Sequence, residues 1–263
     1  MGNLKSTTER RAELILQELL RNGEVAVDVL AQQLDVSEAT IRRDLTELER
    51  QGLLLRSHGG AVPVAPMLYE PFRHLSSFQE QEEKCASEKR QIGLLAASLI
   101  ADGEIVAIGA GTTTTQIARS IRHRKGITVL TNALNVAMEL SHLADIKVCM
   151  TGGNLSGDWF ALVGDVAQRN VGEMFVDKVF IGVDGIHAEH GLTTNYPDQA
   201  AIHRAMMRQA RQRIVVADHR KIGLVGASVI WPASDFQVLV TDKLTSDKVI
   251  TMFAAKNIKV LRA

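Results

Sequence analysis

The chain has 263 residues, 46% of them apolar, which is ample for a sizeable core and longer than one domain of ordinary size. Thirty Lys and Arg balance thirty Asp and Glu, so a strongly basic nucleic-acid coat and a polyacidic tail are both excluded, and any DNA contact must come from a local face. No apolar run approaches the roughly 20 residues of a membrane span, residues 1–11 lack a secretory pattern, and the two cysteines, Cys85 and Cys149, make no close metal-type pair; a cytoplasmic protein with free thiols and no membrane contact is expected.

Residues 8–21 keep Ala12, Ile15, Leu16 and Leu19 near one helical face, and Asn22-Gly23 supplies the stop. A second, short helix is predicted at about 27–34, closed by the turn Leu34-Asp35-Val36. Ser37 then has the chemistry of an N-cap: its hydroxyl can accept from a free amide in the next turn, while Val36 packs on Ile41 as a staple. The third helix ends before Gly52; on a 100° wheel Ile41, Leu45 and Leu48 fall together, Ala39, Arg43 and Thr46 lie nearly opposite, and Arg42 sits at the flank. Residues 53–56 and 61–62 flank Ser57-His58-Gly59-Gly60, which reads as two short strands joined by a glycine turn, a wing.

Short helix, three-residue turn and amphipathic helix is the helix-turn-helix order, whose second helix lies in the major groove with its early residues toward base edges. Outward arginines on an amphipathic helix are by themselves an ordinary solvated face, so the order of elements carries the reading. Bulk charge does not help, since residues 1–62 hold eight Lys and Arg against ten Asp and Glu. An arginine fork can donate two bonds to guanine or grip a phosphate, and both remain open for Arg42 and Arg43. The expected contacts to double-stranded operator DNA are Ser37, Ala39, Thr40, Arg42, Arg43 and Thr46, with Arg56 and His58 of the wing. Regulators of this kind pair on symmetric half-sites, so a homo-oligomer is expected, assembled through the second domain.

Pro63, Pro66 and Pro71 punctuate the stretch after the wing, giving three expected regions: a winged helix-turn-helix at 1–62, a connector at 63–86 and an effector-binding, oligomerising domain at 87–263. In the last, apolar strands at 105–108, 127–130, 146–150, 178–183, 213–217, 238–241 and 258–261 alternate with helix-length segments, the pattern of an α/β domain with a largely parallel sheet. Five strands run straight into small polar tips: 109–115, Thr131-Asn132, Thr151-Gly152-Gly153, Asp184-Gly185 and 218–221. Open α/β sheets bind ligands beyond the carboxyl ends of their strands, so these tips are expected to converge on one crevice. At the first, Gly109-Ala110-Gly111 lets the backbone come close, and the threonines after it open a helix whose free amides and hydroxyls can hold a phosphate; a plain capped turn would use the same residues. It is neither a dinucleotide fingerprint nor a Walker loop. His187 and His190 around Glu189 lack further ligands in metal spacing, so no metal and no cofactor are expected.

Arg11 with Ile15 and Leu19, the run 37–45 (SEATIRRDL) and His58-Gly59-Gly60-Ala61 together resemble the N-terminal signature of the DeoR family of sugar-operon regulators. The likeness extends through Gly111-Thr112-Thr113-Thr114, Thr131-Asn132, Thr151-Gly152-Gly153, residues 182–186, residues 191–194 and Asp218 with Lys221, which resemble successive blocks of that family's sensor domain. The resemblance implies a C-terminal α/β fold similar to ribose-5-phosphate isomerase, a phosphorylated sugar or polyol effector, and repression of a carbohydrate operon. It also implies an effector set in which Gly111, Thr112, Thr113 and Thr114 hold phosphate, Lys221 adds positive charge, and Asn132, Asp184 and Asp218 meet hydroxyls beside Gly152 and Gly153. Two positions depart from the family habit of acidic residues: Gly109 and Gln199. The isomerase likeness leaves a rival reading, a sugar-phosphate isomerase fused to a DNA-binding module, with Asp184 moving a proton. The glycine-rich loop with Lys and Glu that isomerases use is not visible after Asp184, where the chain reads Ile186-His187-Ala188-Glu189-His190, so the expectation is a regulator and not an enzyme.

Overall fold

The computed structural model describes residues 7–64 and 76–263, and the chain divides into two compact units, Met1–Pro66 and Met67–Ala263. The connector prolines Pro66 and Pro71 lie outside the described residues.

In the first unit α1 (Thr7–Asn22) buries Ile15, Leu16 and Leu19, the face its spacing predicted. A two-residue strand β1 (Val25–Ala26) runs into α2 (Val27–Gln33), and Asp35, at φ 52°, turns the chain toward α3 (Glu38–Arg50). The wing strands β2 (Leu55–Ser57) and β3 (Gly60–Val62) pair antiparallel with Arg56 opposite Ala61. The wing differs from expectation in having a third strand: β1 pairs with the other edge of β3, and the amide of Val27 donates to the Gly59 carbonyl at 2.8 Å. Two residues carry no periodicity, so β1 leaves no pattern in the sequence. Its approach explains Gly60, where an added Cβ would stand 1.9 Å from the Val25 carbonyl oxygen.

The described part of the second unit begins with α4 (Ser76–Glu83), a helix inside the stretch read from sequence as connector, followed by α5 (Ala86–Ser98). Helix α4 packs on its own unit: Phe78 meets Phe160 edge to face at 5.1 Å, and Glu82 accepts from Arg119 at 2.9 Å. Then come β4 (Ile105–Ile108), α6 (Thr112–Ser120), β5 (Ile127–Thr131), α7 (Leu134–Leu140) and β6 (Ile146–Met150). A hairpin of β7 (Asn154–Ser156) and β8 (Ala161–Val163), joined by a 3-10 turn at Gly157–Trp159, leads to α8 (Asp165–Gly172) and β9 (Val176–Gly182). The chain continues through β10 (Gly185–His187), β11 (Gly191–Thr194), α9 (Pro197–Arg208), β12 (Ala210–Val216), β13 (Ser228–Trp231), β14 (Val238–Thr241), α10 (Asp247–Ala254) and β15 (Lys259–Arg262).

Among the described residues the main sheet has the order β15-β14-β12-β9-β4-β5-β6, and every pairing in it is parallel. Its strands supply the core, including Val106, Ile108, Val129, Phe180, Ile181 and Ile214, because a parallel sheet is covered on both faces. The seven expected strands all appear, with β9 and β12 starting two or three residues early. The antiparallel sheet β10-β11-β13 and the β7-β8 hairpin were not foreseen: sequences such as Gly-Ile-His and Gly-Leu-Thr-Thr are too short and mixed to show a period of two. From β4 the chain builds outward through β5 and β6, then returns to lay β9 on the other side of β4. The carboxyl ends of β4 and β9 therefore flank the point where strand order reverses, where an open α/β sheet opens a crevice. Among the described residues no helix is long and apolar enough to cross a membrane.

Candidate nucleic-acid interface and effector crevice

Ser37 lies outside the helix at φ −68°, ψ 150°, and its Oγ accepts from the Thr40 amide at 3.2 Å and shares a hydrogen bond with the Thr40 hydroxyl at 2.9 Å. This cap fixes where α3 begins and contributes about 1 kcal/mol. Ile41, Leu45 and Leu48 are buried as the wheel predicted, and with them Asp44, 9% exposed. Its carboxylate takes both arms of Arg11, Nε to Oδ2 at 2.5 Å and Nη2 to Oδ1 at 3.0 Å, which raises the arginine's pKa further and bolts α3 to α1. Both residues stood in the family signature, but only the fold joins positions 33 apart.

The opposite face carries the exposed residues of the helix. Ala39, Arg42, Arg43 and Thr46 are exposed and Thr40 is half-buried. Arg42 holds Glu38 at 2.5 Å, and the Thr46 hydroxyl donates to the Arg42 carbonyl at 2.8 Å. Arg43 has no ion-pair or hydrogen-bond partner among the described residues. On the wing, Arg56 and His58 are exposed; the Arg56 amide donates to Glu49 Oε1 at 2.9 Å, tying the strand to the end of α3.

In the second unit a crevice with about 560 Å³ of empty space, its solvent-open mouth included, lies at the reversal of strand order. Of the expected effector residues it gathers six: Gly111, Thr112 and Thr113 after β4, Asp184 after β9, and Asp218 and Lys221 after β12. Gly111 stands at φ 152°, ψ 159°, open to glycine and little else, and its carbonyl accepts the hydroxyls of Thr114 at 2.9 Å and Thr115 at 2.8 Å. Those two hydroxyls are thereby spent on the turn. Thr112 and Thr113 keep theirs, together with the helix's unpaired first amides.

Thr114, Asn132, Gly152 and Gly153 do not line the crevice. Asn132 is fully buried as a brace, its Oδ1 accepting from the Ala110 amide at 3.0 Å and its Nδ2 donating to the Leu162 carbonyl at 3.2 Å. Gly152 and Gly153 pack against Asn170 and Ala167 of α8. The tips of β5 and β6 run away from the reversal point, so three of the five tips converge, not all.

Residues from outside the tips complete the walls: Gln81 of α4, Lys89 of α5, Trp159 of the 3-10 turn, Thr194 of β11 and Gln199 of α9. Lys89 carries the most information. It is 3% exposed, and burial, only partly offset by Asp218, pulls its pKa down to about 8. Its ammonium donates to the Gln81 carbonyl in the last turn of α4. Among the described residues no carboxylate forms an ion pair with this ammonium; the signal in sequence was no more than a lysine four residues after Cys85 on a helix of mixed polarity. Lys221, by contrast, already meets Asp184 at 3.5 Å, and Asp184 also accepts from the Thr194 hydroxyl at 2.8 Å and the Asn195 amide at 3.0 Å. Asp218, 1% exposed, is held by Arg220 at 2.9 Å.

Of the two departures from the family habit, Gln199 lines the crevice with its Oε1 3.5 Å from the Thr194 hydroxyl. At the other, a Cβ on Gly109 would fall 2.9 Å from Ile181 Cδ1 and 3.0 Å from His203 Nε2, so this chain has no room there for a carboxylate without moving both. His203 is buried with neither ring nitrogen bonded among the described residues, and burial holds it neutral, its pKa lowered to about 4. Among the described residues two triads bring metal-capable atoms within 4.8 Å, His187-Glu189-His190 and Cys85-Asp218-His219. Both are engaged otherwise: His187 Nδ1 accepts backbone amides, Arg220 holds Asp218, and Asp242 holds His219 Nδ1 at 3.1 Å.

Residues 11–66 match the DeoR-like helix-turn-helix domain and residues 84–243 the DeoR C terminal sensor domain. Relatives include the HTH-type transcriptional repressor GlcR of Bacillus subtilis, 32% identical over 96% of this chain and 95% of that protein. The transcriptional repressor AccR of Agrobacterium fabrum is 33% identical over 91% of each, and the HTH-type transcriptional regulator GlpR of Haloferax volcanii 36% identical over 82% of this chain and 83% of that one. Among solved structures, ribose 5-phosphate isomerase from Plasmodium falciparum is 12% identical with a TM-score of 0.38, covering 51% of this chain and 52% of the other, a likeness too slight to bear on activity. The isomerase alternative falls away beside full-length kinship to regulators. The chain belongs to the DeoR family and is a DNA-binding transcription regulator, not an enzyme.

Proposed function

We propose that this regulator represses a carbohydrate-utilisation operon and is controlled by a phosphorylated sugar or polyol bound in the crevice. The observation that carries the reading is the crevice's division of labour: the opening of α6 with Lys89 and Lys221 suits a phosphate, while Asp184, Thr194 and Gln199 offer donors and acceptors for hydroxyls. Two copies of α3, set on a symmetric operator, read the major groove through Arg42 and Arg43, with Ser37, Ala39, Thr40 and Thr46 at the same face and Arg56 and His58 on flanking phosphates. Control passes through α4. A phosphate that takes the Lys89 ammonium withdraws it from the Gln81 carbonyl, and α4 is the first described element after the wing. A ligand shifts operator binding only through its different affinity for two arrangements, and this exchanged bond supplies such a difference.

A thermal-shift screen of the full chain against sugar and polyol phosphates tests the reading. A hit raises the melting temperature by mass action and releases operator DNA. Lys89→Gln loses both responses, and in the wild type the ligand's affinity falls as pH rises through about 8, where Lys89 gives up its charge. Stability unchanged by every phosphate, or a hit that leaves operator binding untouched, overturns it.

A further inference from the structure

We propose that Trp159 is the specificity-determining residue of the crevice: its indole is the wall on which the carbon skeleton of a phosphorylated sugar lies, and its N–H binds a ligand hydroxyl. This rests on the reading that the crevice takes such a ligand, and goes beyond it by naming what tells one phosphate ester from another. Trp159 is the sole aromatic among the described residues lining the crevice. Ala110, Val183, Val216 and Ala217 add aliphatic surface to the walls, but only the indole among the described lining residues presents a flat ring to the C–H face of a sugar.

The ring rests on one neighbour, and the backbone next to it is anchored. It stands edge to face on Tyr196 at 5.2 Å, and the next residue, Phe160, sits at φ 53° with its side chain buried against Phe78 of α4. A wall held this way loses little freedom when a ligand arrives. The indole Nε1 is shut from solvent and has no hydrogen-bond partner among the described residues. A buried N–H is costly to leave unpaired, and a buried tryptophan normally finds a partner for it. The chain's other tryptophan shows the ordinary case: Trp231 donates its Nε1 to the Asp235 carbonyl at 2.6 Å, with the Arg213 guanidinium 5.2 Å from its ring. Trp159 has no such hydrogen bond among the described residues, which leaves its N–H for a ligand oxygen.

The test follows tryptophan emission and thermal stability together, in the full-length wild type, Trp159→Phe and Trp159→Ala, during titration with hexose 6-phosphates, glycerol 3-phosphate and inorganic phosphate. The expected result is a hexose phosphate that stabilises the wild type and changes its emission, with the emission change absent from Trp159→Phe, where Trp231 alone reports. Trp159→Phe, which keeps a ring and loses the N–H, weakens that ligand about tenfold and Trp159→Ala by more, while the affinity for inorganic phosphate stays the same. A hexose phosphate that binds all three proteins equally, with Trp159 emission unmoved, overturns the proposal and leaves the crevice reading standing. Failure of every phosphate ester to bind the wild type overturns that reading and this one with it. Trp159→Phe and the wild-type emission decide the matter if Trp159→Ala does not fold.

Discussion

The reading helix and the effector crevice hold their charges in opposite settings. Arg43 extends from α3 without a partner among the described residues and Arg42 with only Glu38, whereas Lys89 is 3% exposed and Asp218 1%. An outward arginine costs the fold almost nothing and acts through a field that salt screens within about 10 Å. An inward charge is worth more to a ligand and costs the fold more, so its neighbours must fix its position and its protonation. The first unit therefore fails mainly through loss of its scaffold or its cations, the second through titration and packing.

The largest expected effect is on the scaffold. Arg11→Met leaves Asp44 buried without its fork and costs about 3 kcal/mol of stability, read from urea unfolding. Operator affinity falls with it, because α3 loses its bolt to α1. An unchanged urea midpoint would remove the buried pair from any part in holding the reading helix.

Next is acid sensitivity in the second unit. Unfolded, His203 takes a proton below pH 6.5, while the fold refuses it until about pH 4. Stability is therefore lost as pH falls through that window, by on the order of 3 kcal/mol at its lower end. His203→Leu removes two unpartnered nitrogens and with them this slope; urea midpoints at pH 7 and pH 4.5 converge relative to wild type. Parallel slopes in the two proteins would place the acid sensitivity elsewhere.

The smallest effect on the fold is the sharpest on function. Arg43→Ala leaves the melt unchanged, weakens a selected operator fragment by about tenfold or more, and reduces the dependence of log affinity on log salt by about one. Arg42→Ala loses less, because Arg42 gives up Glu38 to reach DNA. A melting temperature that dropped in Arg43→Ala would erase the contrast between the two settings.

The same contrast governs what could be read from sequence. In the first unit the residues proposed to meet DNA are neighbours in the chain: Ser37 caps the helix that carries Arg42, Arg43 and Thr46, and about half a turn of the wheel separates Ile41 from Arg43. Only long-range pairs escaped, Arg11 with Asp44 and β1 with β3. In the second unit alternation exposed the parallel sheet, and the polar tips marked the crevice. The rule that tips converge was too generous, because strand order, which decides which tips face each other, is a tertiary fact. Gln81, Lys89, Trp159 and Gln199 reach the crevice from helices and a turn whose local sequence says nothing of their neighbours. The short antiparallel strands left no periodicity to find.

That strand order has a further consequence in time. The crevice is closed by pairing β4 with β9, which sets Val106 opposite Lys178, and then β12 beside β9, so its walls meet only after a long stretch of chain has been made and brought back. The first unit is built from contacts within its own short span, the kind that form fast and early. During synthesis the helix-turn-helix domain is complete before the sensor domain exists. A chain cut short between the wing and Lys221 would carry α3 without the crevice.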